Sequence, residues 1–89
     1  MQVSLDISLY PLAEDYIPAI SQFIHRLEAA PNVAVVRNDL STQLHGDYDA
    51  VMDLLKQEIQ HSFQTFGKSV FVVKFLLDDL RGLADHPVG

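Results

Sequence analysis

The sequence predicts an α+β domain of the ferredoxin-like βαββαβ type, a four-stranded antiparallel sheet with both helices on one face. Two segments have apolar residues at helical spacing, and the segments around them have the alternating or short apolar pattern of strands. Proline, glycine, asparagine and aspartate lie at the boundaries, where turns need them. Because crossover connections are right-handed, the order strand, helix, strand, strand, helix, strand favours the spatial strand order 4-1-3-2.

The first predicted strand, residues 2–10, has a repeat of two. Alternate apolar positions are expected to face the helices and the polar positions between them to face the opposite side, so that the inward set is Val3, Leu5, Ile7 and Leu9 and the outward set is Ser4, Asp6 and Ser8. Pro11 ends this strand, because proline has no N–H for the sheet.

The first predicted helix follows this strand and ends near Ala30. Asp15 is the expected N-cap, and Pro18 is tolerated because it falls in the first turn. The helix closes before Pro31, since the residue preceding a proline disfavours helical backbone. Phe23 is expected beside the inward stripe, which consists of Ile17, Ile20, Ile24 and Leu27.

The second half of the chain supplies the other four elements. VAVV (33–36) is the second predicted strand, RND is a turn, and residues 40–45 form the third strand. Gly46 and Asp47 end that strand and cap the second helix, which closes at Gly67 as its C′ residue. The inward stripe of this helix is Tyr48, Val51, Met52, Leu55, Ile59, Phe63 and Phe66. The fourth strand is 69–77, so the predicted domain is 1–77, followed by a tail, 78–89, with one helical turn around 78–83.

Length and composition restrict the classes of function. A chain of 89 residues with 48% apolar residues is expected to be one folded domain. A formal charge of −6 and only six Lys and Arg argue against nucleic acid, because phosphate binding needs a basic patch. The absence of cysteine excludes thiolate chemistry. No apolar run approaches the ~20 residues of a membrane span, so we expect a cytoplasmic protein without a membrane partner.

The sheet face opposite the helices, the open face, is predicted to be half apolar and half polar. On the third strand Leu40, Thr42 and Leu44 are expected inward, and Ser41, Gln43 and His45 outward. On the fourth strand the expected inward residues are Phe71, Val73 and Phe75, and the outward ones are Val70, Val72 and Lys74. A concave surface that combines apolar walls with a few polar groups is typical of a small-molecule site.

Two segments carry a resemblance to a known family. SLYPL (8–12) and NDLSTQLHGDYDAVM (38–52) resemble the YkoF-related family of thiamin- and hydroxymethylpyrimidine-binding proteins, and the likeness runs from about Val3 to Leu76. The resemblance implies a ferredoxin-like unit that is duplicated in one chain or oligomerises as a single copy. It also implies binding of the vitamin or its pyrimidine precursor, with no catalytic reaction. This chain has one copy, so a site shared between units would form between chains.

The polar residues of the predicted open face match the chemistry of such a ligand. Hydroxymethylpyrimidine offers ring-nitrogen acceptors, an amine and a hydroxyl, and thiamin adds a fixed positive charge. Amides and hydroxyls provide paired donors and acceptors, while a carboxylate and an aromatic ring suit the cation. No catalytic, metal or cofactor residues are expected. The predicted ligand-binding residues are Asp6, Ser8, Tyr10, Asn38, Ser41, Thr42 and Gln43.

Structural alternatives exist for several of these residues. Asn38 and Asp39 suit a hairpin turn, and Thr42 suits an inward β-position. Asp6 could pair with Lys74 across adjacent strands. The string His45, Asp47, Asp49 could suggest a metal site, but Asp47 as helix cap and Asp49 as first-turn acid are the favoured roles.

Two functions follow. The first is a carrier, buffer or sensor that binds thiamin or hydroxymethylpyrimidine without catalysis. The alternative is a regulatory module whose open face meets another protein. In both cases Ala34 and Val36, together with Val70 and Val72, predict a homodimer or homotetramer, because apolar residues on an uncovered face favour association.

Overall fold

The sheet has the predicted strand order. In the computed structural model, which describes residues 1–83, it runs β2-β3-β1-β4 with all pairs antiparallel. The elements are β1 (Gln2–Pro11), α1 (Ile17–Glu28), β2 (Val33–Arg37), β3 (Thr42–Asp47), α2 (Tyr48–Phe66) and β4 (Ser69–Leu77). The βαββαβ fold class is therefore confirmed.

The core lies between the sheet and the two helices. Its fully buried side chains come from the two central strands, β1 and β3, and from both helices, and they are Leu5, Ile7, Leu27, Leu44 and Val51. Burying side chains of this size stabilises the fold by about 1.5–3 kcal/mol each. Phe71 of β4 joins this core through Phe23, with ring centroids 5.1 Å apart. The inward set predicted for the first strand is confirmed for Val3, Leu5 and Ile7, which are buried.

The third strand begins two residues later than predicted, at Thr42. The side-chain oxygen of Asn38 accepts hydrogen bonds from the backbone N–H groups of Leu40 and Ser41, at 2.8 and 3.0 Å. These bonds hold the segment in a turn, because they occupy N–H groups that a strand would use. Leu40 is consequently 90% exposed, so its predicted inward position is wrong. Thr42 is buried at the inward position of β3.

The helices differ from prediction in one cap and in their buried stripes. α1 begins after Tyr16, without a side-chain cap, so the prediction of Asp15 as N-cap is wrong. Its buried stripe is Ala19, Phe23 and Leu27, an i, i+4 series that leaves Ile17 exposed. In α2 only Val51 and Leu55 of the predicted stripe are buried. The observed buried stripe continues from them through Glu58 and Ser62.

The ends of α2 were predicted from local signals, and both are confirmed. The side chain of Asp47 accepts a hydrogen bond from the N–H of Asp49 at 3.2 Å, which satisfies one of the free donors at the helix start. Gly67 has a φ of 81°, which an L side chain rarely adopts.

Neither helix within residues 1–83 has the length and apolar character needed to span a bilayer.

The described part of the tail, residues 78–83, folds back over the open face, and we call it the C-terminal strap. Its first N–H, on Asp78, donates to the carbonyl of Gln2 at 2.9 Å. Ser4 then donates to the carbonyl of Asp78 and accepts from the N–H of Leu80, at 2.8 and 2.9 Å. A turn closes between Leu80 and Leu83. The strap therefore covers one end of the face that was predicted to be open. The rest of the predicted tail, 84–89, lies outside the described residues.

Candidate functional site

A cavity of about 410 Å³ lies between the open face and the strap. This volume falls within the roughly 300–1,000 Å³ of small-molecule sites. The sheet contributes the floor and the strap one wall; the lining residues are Ser4, Leu5, Asp6, Gln43, His45, Leu76, Leu80, Arg81, Gly82 and Leu83. Two central strands thus present polar side chains to a space with apolar walls.

Asp6 supplies an unpaired carboxylate oxygen at this site. Its Oδ1 is buried and has no hydrogen-bond partner among the described residues. Lys74 lies opposite Asp6 in the β1–β4 register, yet the two side chains form no ion pair. The alternative of a purely structural Asp6–Lys74 pair is therefore wrong. A buried polar atom without a partner costs about 1–3 kcal/mol, which makes Asp6 a candidate for ligand contact.

His45 lies on the neighbouring strand, opposite Ser4, and is only 4% exposed. Its Nδ1 is 2.8 Å from the Ser4 hydroxyl oxygen. That hydroxyl has one proton, which goes to the Asp78 carbonyl, so the Ser4 oxygen must accept from Nδ1–H as well as from Leu80. Counting hydrogen bonds in this way assigns the proton of the neutral ring to Nδ1. Nε2 is then an acceptor, and it is buried without a partner among the described residues.

Burial favours the neutral form of the His45 ring, and the charges around it change this only in part. Burial lowers the pKa of His45, and the carboxylate of Asp79, 3.6 Å from Nδ1, opposes this only in part. Arg81 contributes to the lowering. Its guanidinium binds Asp79 and holds the pKa of that carboxyl at about 2. The strap therefore carries a closed ion pair, and Asp6 is the uncompensated acid of the cavity lining.

Ser4, His45 and Asp79 lie together but do not form a catalytic triad. In a triad the serine and the acid use opposite nitrogens of the imidazole, so that one orients the ring while the other gives up its proton. Here Ser4 and Asp79 both lie beside Nδ1. The Ser4 hydroxyl is also committed to the backbone of the strap. The cluster thus anchors the strap and fixes the orientation of His45.

The structure places six of the seven predicted ligand-binding residues in two separate cavities. Asp6 and Gln43 line the open-face cavity. Tyr10 is 55% exposed and lines neither cavity. The other four line a space of about 120 Å³ against α1, too small for the expected ligands, and they are Ser8, Asn38, Ser41 and Thr42. Asn38 and Ser41 belong to the turn before β3, and Thr42 points inward as the alternation predicted.

Sequence reasoning missed Ser4, His45 and the strap as parts of the site. The repeat of two placed Ser4 and His45 on the outer face, and the predicted strand order pairs β1 with β3, but the register that sets the two residues opposite each other was not predicted. No sequence signal marks the docking of Leu80 and Arg81. A larger cavity, about 600 Å³, is lined by the end of α1, the loop after it and α2. Its Arg26 and Glu58 bind each other, and its third charged residue, Asp53, is exposed. None of the buried polar atoms without a partner in residues 1–83 belongs to its lining, so the open face is the stronger candidate.

Comparison with protein families gives a match over most of the chain. The sequence model described as the YKOF-related Family matches residues 2–76. A comparison with curated proteins found no match.

Several solved structures share the fold. A protein of Streptococcus pneumoniae has a TM-score of 0.82 and 24% identity, with 96% of each chain covered. A candidate thiamine biosynthesis/salvage protein of Thermotoga maritima has a TM-score of 0.76 and 18% identity, with 84% of this chain and 82% of that chain covered. A hypothetical protein of Methanocaldococcus jannascii has a TM-score of 0.77 and 17% identity, with 96% and 98% covered. At these identities the similarity establishes the architecture.

Proposed function

This chain belongs to the YKOF-related family, and from that premise we propose that it binds thiamin or its hydroxymethylpyrimidine precursor and releases it unchanged. The sequence resemblance to thiamin- and hydroxymethylpyrimidine-binding proteins supports the ligand class. The fold shared with the thiamine biosynthesis/salvage candidate of Thermotoga maritima supports it further. Binding the compound and releasing it unchanged is all that a carrier, buffer or sensor requires.

The unpaired oxygen of Asp6 is the observation that carries the proposal. Both ligands present an exocyclic amine, a group that donates hydrogen bonds, and thiamin also presents a cation. A buried carboxylate oxygen on a central strand matches either group, because a bond to a charged acceptor contributes about 1.5–3 kcal/mol. Gln43, opposite Asp6 in the register, adds an amide that can both donate and accept. The apolar walls of the cavity suit a flat heteroaromatic ring.

The same geometry favours binding without turnover. A nucleophile needs a neighbouring base that can take its proton. The Ser4 hydroxyl lies beside the protonated nitrogen of His45 and donates to the backbone, so it is poorly placed to react. We accordingly propose that the protein is not an enzyme.

Thermal melting with each compound tests the proposal. At a free concentration of 100 Kd, a ligand bound only by the native state adds about 2.7 kcal/mol to the free energy of unfolding. For a domain of this size the melting temperature should rise by roughly 10–20 °C. The thiazole half of thiamin alone, which lacks the amine, should give no such rise. Chromatography of the recovered compound should show it unaltered; no shift with either compound, or turnover of one, would contradict the proposal.

We further propose that the protein is a homodimer or homotetramer, associating through the open face or the sheet edges. Val36 on edge strand β2 and Val70 and Val72 on edge strand β4 are each more than two-fifths exposed, so apolar surface lies at both edges of the open face. Light scattering at micromolar concentration should give a mass of two or four chains. Introducing a charge with Val72→Lys should reduce that mass, whereas Lys56→Glu on the exposed side of α2 should not. A monomeric parent protein would refute this prediction.

A further inference from the structure

We propose that His45 contacts the ligand directly and accepts, through Nε2, a hydrogen bond from the hydroxymethyl group of the pyrimidine. Asp6 takes the exocyclic amine in this arrangement. The inference rests on the proposed function and extends it, because it defines the ligand class as an aminopyrimidine with a second hydrogen-bond donor beside the amine. His45 was not among the ligand-binding residues predicted from the sequence.

Two residues that line the cavity, each with an unpaired acceptor atom, carry this inference. Asp6 pairs with Gln43 in the register of β1 and β3, and His45 lies two residues further along β3 on the same face. Such diagonal neighbours have Cα atoms about 7–8 Å apart, so a single small ring can lie between their side chains. The Oδ1 of Asp6 and the Nε2 of His45 are both buried without a partner within residues 1–83. A ligand with only one donor would leave one of them unsatisfied.

Ser4 is a positioning residue in this scheme. By accepting a hydrogen bond from Nδ1–H, Ser4 leaves Nε2 as an acceptor without a partner in residues 1–83, on a residue that lines the cavity. The strap holds Ser4 in turn, through bonds to Asp78 and Leu80. The tautomer of His45 is thus fixed by contacts that do not involve the ligand.

The two acceptors differ in charge, and this assigns the ligand groups to them. The amine only donates, and the carboxylate of Asp6 is the stronger acceptor, since a charged partner roughly doubles the strength of a hydrogen bond. The hydroxyl then faces the neutral nitrogen of His45. Asp79 and Arg81, the other charged groups near His45, bind each other, so neither competes for the ligand.

Calorimetry with two probes and two proteins tests the inference. The probes are hydroxymethylpyrimidine and its analogue with methyl in place of hydroxymethyl; the proteins are the parent and His45→Asn. Asparagine can donate to Ser4 from the position of Nδ1 but has no atom at the position of Nε2. The parent should bind the analogue about 5- to 30-fold more weakly than hydroxymethylpyrimidine. His45→Asn should bind the two probes nearly equally.

The outcomes separate this inference from the proposed function. If the parent binds thiamin but neither probe, the inference fails and the proposed function stands; if it binds none of the three compounds, both fail. If both proteins lose the same factor when the hydroxyl is removed, binding stands and the role of His45 is refuted.

A measurement on the parent protein covers the case in which His45→Asn does not fold. The side-chain ¹⁵N spectrum should show His45 protonated at Nδ1. Its Nε2 signal should move on adding hydroxymethylpyrimidine and stay unmoved with the methyl analogue. A signal that responds identically to both probes would overturn the inference.

Discussion

Asp6→Asn should weaken binding of thiamin or hydroxymethylpyrimidine by about ten- to a hundredfold, the loss of a charge-assisted hydrogen bond. The change preserves the shape of the side chain but removes its charge, so it isolates the electrostatic part of the contact. Thiamin should lose more than the neutral pyrimidine, because only thiamin carries a fixed positive charge. Calorimetry of parent and variant with both compounds measures the two losses.

Asp39→Asn provides the matched control for Asp6→Asn. It removes the same charge from an exposed turn that lies outside the open-face cavity, so affinity should be unchanged. The free energy of unfolding should not fall in Asp6→Asn, since Asp6 forms no ion pair with Lys74. Unaltered affinity together with a lowered melting temperature would assign Asp6 a structural role instead.

Leu44→Ala should lower the free energy of unfolding by about 2–5 kcal/mol, the range for deleting a large buried side chain. Leu44 has no exposed surface and lies inward on β3, between the sheet and the helices. For a domain of this size the melting temperature should fall by roughly 10 °C or more. Urea unfolding gives the free energy and calorimetric melting gives the temperature.

Leu40→Ala is the control for Leu44→Ala, because the same substitution four residues earlier removes an exposed side chain. Leu40 is 90% exposed in the Asn38 turn, so its removal should change stability by no more than about 0.5 kcal/mol. Equal losses for the two variants would mean that the third strand starts at Leu40, as the sequence pattern predicted.

The candidate site was only partly accessible to sequence reasoning. Asp6 and Gln43 were predicted on the open face because the alternation of a strand places them there, and both line its cavity; their contact with a ligand stays a prediction. Ser41 belongs to the turn held by the Asn38 side chain, whereas Thr42 occupies the inward position that the alternation predicted. The hydrogen bonds of Ser4 to His45 and to Asp78 join residues that are separated by 41 and 74 positions in the sequence. No local pattern predicts contacts at such separations.

The sequence by itself determined the order of the elements, the strand order and the face of the sheet to which most side chains point. These follow from hydrophobic periodicity, from the Asp47 cap and the Gly67 terminus, and from the handedness of crossovers, all of which act over a few residues. Only the tertiary structure decided that the strap closes over Ser4 and that the acceptors of Asp6 and His45 are left unpaired. Whether a buried polar atom has a partner depends on every neighbour that reaches it, and those neighbours are assembled only when distant segments pack together.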